Sequence, residues 1–320
     1  MKTFCNVKVS IITICRNEVQ HIQQTIESVL TQDYQNIEYI VIDGASTDGS
    51  LNIIKKYSSQ ISQIISEPDT GIYNAMNKGI RIASGEYLLF LNAGDYLYSN
   101  QSINYLIQTI EKSDTNSILS PAIQPTDINN LSIAPNVENN LPRAHHKVEI
   151  AYGNLACLDS NSKIYFHKAP SLLTLEFLFN STLWHPCCLI SKSLFDQYGL
   201  YNENYKIVGD YEFFLRVIGV NNANNKHCPH VISVFRLNGI SSNPESQKLL
   251  QEERSKAQLD NFPISVLKMY DSWLKLHHEI IFLNRSLIYK FYKIINKISF
   301  FNKILRLPSY LILCFNKKNN

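Results

Sequence analysis

The chain has 320 residues, 45% hydrophobic and 18% charged, which is enough apolar side chain for a sizeable core and too little charge for a disordered chain. Its net charge of +3, from 30 Lys and Arg against 27 Asp and Glu, is too small to point to nucleic acid. The charge is uneven: Ile280 to Asn320 holds eight basic residues and no acid, which leaves residues 1–279 with 22 basic against 27 acidic. The seven cysteines contain no Cys-x-x-Cys pair, so neither a disulfide framework nor a zinc knuckle is indicated, and a reducing compartment is expected. The N-terminal apolar residues are broken by Asn6 and Lys8 and followed by Arg16-Asn17-Glu18, so no signal-peptide core is read there. No apolar run reaches the roughly 18 residues of a membrane span, and the body is expected in the cytoplasm.

In chain order, Val9–Ile14 reads as a buried strand, and Val19, Ile22, Ile26, Val29 and Leu30 recur at helical spacing. Glu38–Asp43 is a second strand that ends in a turn rich in Gly, Ser and Asp, followed by a helix over Ser50–Tyr57. Ile61–Ser66 is a third strand, Ile72–Ala83 a helix, and Tyr87–Leu91 a fourth strand running into Asn92-Ala93-Gly94-Asp95. This alternation predicts an α/β fold with a Rossmann-like, mostly parallel sheet flanked by helices. Residues 113–170 are rich in Asn, Ser and Pro and read as an excursion with one hairpin around Ala151–Phe166. Leu172–Phe179, Cys188–Tyr198 and Tyr211–Ile218 then read as helices and His230–Leu237 as a late strand, with a helical C-terminal extension from Lys248.

In open α/β sheets the ligand lies beyond the carboxyl ends of the strands, so Asp43, Asp48, Asp69 and Asp95 are expected to converge on one acidic cleft. Each also has a structural reading. Asp43 and Asp48 would cap the helix near Ser50, Asp69 would cap the helix after Gly71, and Asn92–Asp95 would be a plain strand-to-helix corner. In the second half Asp210 heads a helix, where it is either a general base or an N-cap, while Glu212 is placed to face solvent or pair with Arg216 at i+4. The vicinal Cys187-Cys188 pair reads as core packing, and His227 and His230 are weaker candidates for a late metal ligand.

Val9–Glu18, Asp43–Ser50, Ser66–Gly79 and Gly85–Asp95 together resemble the successive donor-site motifs of family 2 glycosyltransferases with the GT-A fold, and Tyr205–Arg216 resembles the catalytic stretch of that family. The resemblance is close over about residues 8–100 and looser over 176–243. It implies inverting transfer of one sugar from a nucleotide diphosphate donor, UDP-linked by preference, to a polysaccharide or polyprenyl-linked acceptor, aided by Mn²⁺ or Mg²⁺, as in bacterial surface-polysaccharide synthesis. It implies donor contacts from Thr13, Arg16, Asn17, Glu18, Asp43, Ser46, Asp69, Tyr73, Asn77, Lys78, Asn92, Ala93, Gly94 and Asp95. Asp95 would hold the metal, Asp210 would be the base, and Trp184 and His185 would face the acceptor. Asn92 departs from the family pattern, because a carboxylate usually stands there and an amide oxygen binds a cation more weakly. Gly239–Ser242 resembles a small-residue loop that closes over the donor.

On this reading residues 1–112 form the donor half, 113–247 the acceptor and catalytic half, and 248–320 a helical extension that is basic and amphipathic from about 280. The stripe from Leu287 to Leu305, with Lys and Arg largely off it, suits an anionic bilayer surface, which would place the enzyme peripherally on the inner face of the plasma membrane; packing on the domain or a dimer contact is the other reading. A sugar-phosphate nucleotidyltransferase would need a Gly-rich loop after the first strand, and Ile14–Glu18 has no glycine. A catalytically silent nucleotide-sugar-binding scaffold is the other rival, kept open by Asn92.

Overall fold

The computed structural model describes residues 6–115, 147–237, 239 and 243–286. The chain divides into two units, Met1–Asn261 and Phe262–Asn320. Most of the 113–170 excursion, Ile240–Ser242 of the proposed closing loop, and the Leu287–Leu305 stripe lie outside the described residues.

The first unit is built on one sheet. Strand β1 (Val9–Cys15) is buried along its whole length, as a strand covered on both faces must be. It lies parallel to β2 (Ile37–Asp43) on one side and to β4 (Tyr87–Phe90) on the other, while β3 (Gln63–Ser66) lies parallel to β2. The crossovers are α1 (Ile22–Leu30), α2 (Ser50–Lys56) and α3 (Ile72–Ile82). Helix α1 turns Ile22, Thr25, Ile26 and Val29 inward, the 3–4 spacing that makes one face of a helix. These elements stand within a residue or two of where the apolar pattern puts them, except that α1 starts three residues after Val19, which is exposed.

Beyond β4 the sheet becomes mixed. The full order is β3-β2-β1-β4-β8-β6-β9-β5, with β7 paired to β6. Here β5 is Tyr96–Leu97, β6 Ile150–Leu158, β7 Ile164–His167, β8 Cys188–Ser191 and β9 Asn225–Arg236. Strands β6 and β7 form the expected hairpin, with Leu158 opposite Ile164, but β6 also runs through the middle of the sheet between β8 and β9. The expected helix over Cys188–Tyr198 is corrected: Cys188–Ser191 is a fully buried strand and only Lys192–Tyr198, α6, is helical. Helix α4 (Ser102–Thr115) is added to the sequence reading, and α5 (Leu175–Asn180) begins at Thr174, whose hydroxyl accepts from the Phe177 N–H at 3.1 Å. Helix α7 (Gly209–Phe214) continues into a π-helical turn over Leu215–Val220, and α8 (Gln247–Asn261) closes the unit. Cys187 and Cys188 are buried in the core, and Glu212 is buried rather than solvent-facing, with Arg216 Nε and Nη2 on its two oxygens at 2.9 and 3.0 Å.

The second unit contains α9 (Ile264–Arg285), on which Met269, Trp273, Leu276 and Ile280 are exposed at 3–4 spacing. No helix among the described residues is long and apolar enough to cross a membrane.

Candidate active site

The chain order switches sides at β1, with β2 on one side and β4 on the other, and in open α/β sheets the ligand lies beyond the strand ends at such a point. A cavity of about 760 Å³ lies at this point. It is lined by Arg16 and Glu18 after β1, Asp69 after β3, Tyr73 of α3, Asn92–Asp95 after β4, Trp184 and His185, and Asp210 of α7. Arg236, Lys206 and Arg254 bring positive charge to the same walls. This size fits a nucleotide-sized ligand.

The Asn92–Asp95 turn is clamped from two directions. Gly94 has φ +103°, a left-handed conformation that a side chain resists. Its N–H donates to Thr25 Oγ1 at 3.1 Å, and that hydroxyl donates to the Asp95 carbonyl at 2.7 Å, so a fully buried threonine of α1 fixes both ends of the bend. From β9, the Arg236 N–H donates to Asp95 Oδ1 at 3.2 Å and its Nε to the Gly94 carbonyl at 2.9 Å. Asp95 is 4% exposed, and burial pushes its carboxyl up to about 7 against the pull of His185 and Arg236.

Asp210 stands in the first turn of α7 with both oxygens engaged. His185 Nδ1 is 3.2 Å from Oδ2, and the Tyr73 hydroxyl is 3.0 Å from Oδ1 and 2.7 Å from the Ile207 carbonyl. The tyrosine reaches Asp210 because its ring lies flat against the start of α7: a Cβ on Gly209 would come within 2.8 Å of the ring. On its other edge His185 Nε2 lies 3.1 Å from Asn92 Nδ2.

The remaining expected site residues fall into two groups. Asp69 lines the cavity, accepts from the Gly71 N–H at 3.1 Å and has Arg16 at 3.7 Å, while Glu18 pairs with His21 and faces Gly94. Thr13, Asn17, Asp43, Ser46, Asn77 and Lys78 do not line it. Asp43 is fully buried and accepts from the Ser46 N–H and from Ser66 Oγ at 2.6 Å; Thr13 meets the Tyr39 hydroxyl at 3.1 Å. Asn17 Oδ1 accepts from the Thr47 N–H at 2.8 Å, Asn77 links α3 to Tyr201 and Glu203, and Lys78 pairs with Glu67 at 2.8 Å. Asp48 accepts from the Ser50 and Val19 N–H groups, the structural half of its two readings. His227 and His230 do not line the cavity. Arg236, Arg254, Lys206 and Thr25 were not singled out from sequence; the one local signal was a basic residue at the end of the last strand, Arg236.

Oxygen donors at the bend suit a hard cation. Burial keeps the Asp95 carboxyl from being fully ionised at neutral pH, and Asn92 Oδ1 is buried with no hydrogen-bond partner among the described residues. Among the described residues no three His, Cys, Asp or Glu side chains gather as a cage. The residues therefore fit a divalent ion held by one carboxylate and completed by oxygens of a bound ligand.

Residues 10–199 match the family described as Glycosyl transferase family 2. Among curated proteins, a PGL/p-HBAD biosynthesis glycosyltransferase of Mycobacterium bovis is 24% identical over 210 residues, covering 65% of this chain and 68% of that protein. An uncharacterized glycosyltransferase of Rickettsia typhi is 29% identical over 223 residues, covering 66% and 60%. Among solved structures, residues 1–349 of S. aureus TarS superpose with a TM-score of 0.52, and their complex with UDP with 0.54, both at 16% identity. These cover 80% of this chain and 66% and 67% of those chains, so the chain spans about two thirds of those TarS fragments. The likeness to TarS is one of fold, and the fold is GT-A.

Proposed function

The chain belongs to glycosyl transferase family 2, and from that membership we propose that it moves one sugar, with inversion, from a nucleoside diphosphate sugar, UDP-linked by preference, to a saccharide or polyprenyl-linked acceptor of bacterial surface-polysaccharide synthesis. The observation that carries this reading is that Asp210 and Asp95 line one cavity, one at a helix head from the second half of the unit and the other at the strand-end bend. Inverting transfer needs a base on the acceptor side and charge stabilisation on the leaving-group side.

In this reading the acceptor hydroxyl lies against Asp210, which takes its proton as the oxygen attacks the anomeric carbon opposite the departing diphosphate. Tyr73 and His185 hold the carboxylate so that it stays oriented as it is protonated. Arg16, Lys206, Arg236 and Arg254 line the cavity and can bind phosphate oxygens. Mn²⁺ or Mg²⁺ bound at Asp95 would supply further positive charge to the diphosphate. Residues 1–112 serve the donor, 113–247 the acceptor and the base, and the helical extension attaches the enzyme peripherally to the inner face of the plasma membrane.

Asp210→Asn tests the assignment. It keeps one acceptor oxygen, for either Tyr73 or His185, and cannot take a proton, so transfer should fall about 10²- to 10⁴-fold while donor binding holds. Release of nucleoside diphosphate from a panel of nucleotide sugars, with UDP titrated on the same preparations, reads both. A near-normal rate would remove Asp210 from the base role. Absence of any release from the unaltered protein would favour a silent nucleotide-sugar-binding scaffold.

A further inference from the structure

The cavity contains a chain of contacts that the family pattern does not account for. Asn92 stands where a carboxylate is usual, and its Nδ2 is 3.1 Å from His185 Nε2. An amide nitrogen only donates, so Nε2 accepts, and the proton of the neutral ring sits on Nδ1. From there it donates to Asp210 Oδ2, 3.2 Å away, leaving the Tyr73 hydroxyl at Oδ1. The imidazole and the carboxylate are 14% and 15% exposed, so little water competes for these contacts. We propose that Asn92 and His185 are positioning residues for Asp210, with the Asn92 amide fixing the ring tautomer and orientation that direct Nδ1–H at Asp210. The proposal rests on reading Asp210 as the base.

A carboxylate at position 92 could not play this part. It would accept from Nε2–H, and a neutral ring with its proton on Nε2 has none on Nδ1 to give Asp210. Asparagine gives up strength as a cation ligand and donates to Nε2, which leaves the ring proton on Nδ1. Its Oδ1, buried and without a hydrogen-bond partner among the described residues, remains an acceptor for whatever occupies the donor side. One amide thus touches both halves of the site.

Two measurements test the inference, with UDP binding and thermal melting as controls that each variant is folded. The first is a double-mutant cycle on kcat with Asn92→Ala and His185→Ala. Each single change should lower kcat about 10- to 100-fold, the range for groups that orient a functional residue, with the donor KM changed less than kcat. The double variant should be no slower than His185→Ala alone, because Asn92 acts through the ring. Losses that multiply would overturn the proposal, since the two residues would then act separately. The second is Asn92→Asp, which should tighten Mn²⁺ in the presence of UDP and yet lower kcat. A kcat at or above that of the unaltered protein would also overturn it. Failure of the Asp210→Asn prediction is a separate outcome: it removes the base itself, whereas a lost rate in Asp210→Asn with a fully additive cycle removes only the relay.

Discussion

Asp95 has almost no contact with water, and its folded-state carboxyl is raised from 3.8 to about 7, chiefly by burial. The sign of the consequence follows from linkage. A group whose folded pKa is raised contributes stability that is full below its unfolded pKa and is lost as the pH climbs through the folded one, here between about 4 and 7. At pH 8 the empty site therefore holds an ionised carboxylate at a cost of up to about 4 kcal/mol, taking about 1.36 kcal/mol per pH unit. Asp95→Asn keeps an acceptor for the Arg236 N–H and cannot ionise. It should melt increasingly above the unaltered protein as the pH rises from 5 to 8, while losing cation binding in the presence of UDP. Melting curves across that range check this, and a gap that does not change with pH would contradict it. Sequence exposed Asp95 because it stands in the turn after a buried strand, and Asp210 because it heads a helix in the stretch that resembles the family's catalytic one. It did not expose their partners: Tyr73 lies 137 residues from Asp210, and Arg236 lies 141 from Asp95.

At the scale of elements, α8 is the least legible and among the most informative. Its buried residues are Glu253 and Ala257, so no apolar stripe announces which face packs. Glu253 accepts three successive backbone N–H groups, those of Lys206, Ile207 and Val208, at 2.8, 2.9 and 3.2 Å. The next helix starts at Gly209, so this carboxylate fixes the approach to Asp210. The adjoining Arg254 lies over the Tyr211 ring at 4.0 Å, and Gln258 Nε2 donates to the Tyr211 hydroxyl at 2.9 Å. In Glu253→Gln one acceptor oxygen becomes a donor facing a donor, which should cost about 1–3 kcal/mol and loosen the loop. Faster hydrogen exchange at Lys206–Val208, with kcat falling more than UDP affinity, is the expected result; unchanged exchange would show that the loop holds itself. The parallel half of the sheet is readable because β1, β2 and β4 are dominated by Val, Ile, Leu, Phe and Tyr and separated by helical periods. The mixed half was harder to read: Cys188–Ser191 is only four residues long and joins directly to α6, so strand and helix merged into one apparent helix. A short apolar run has no period of its own.

At the scale of the whole molecule the question is what the extension adds to a site that lies entirely within Met1–Asn261. On α9, Met269, Trp273, Leu276 and Ile280 present one exposed apolar face, and the sequence continues into the stripe from Leu287 to Leu305. After Ser286 the chain carries Lys290, Lys293, Lys297, Lys303, Arg306, Lys317 and Lys318 and no acid. Apolar side chains seated in a bilayer surface contribute in proportion to the area buried, and each basic residue near anionic lipid adds roughly 1 kcal/mol, a share that salt screens. Both contributions favour reversible attachment, and Pro308 would interrupt a helix before the last apolar stretch could grow long enough to span. An acceptor carried on a lipid presents its hydroxyl only near the headgroups, so a site held there meets it far more often than one free in solution. Truncation after Ser286 should therefore leave the slow release of nucleoside diphosphate by water intact, because every cavity residue is retained. It should strongly reduce transfer to acceptor in vesicles while sparing a soluble acceptor fragment. Flotation with anionic and neutral vesicles at low and high salt gives the physical readout: the full chain should float with anionic lipid at low salt, and the truncated chain, which keeps the α9 face but loses the basic stripe, should float far less. If both forms behave alike under every condition, the extension serves packing or self-association, and the acceptor has to be sought in solution.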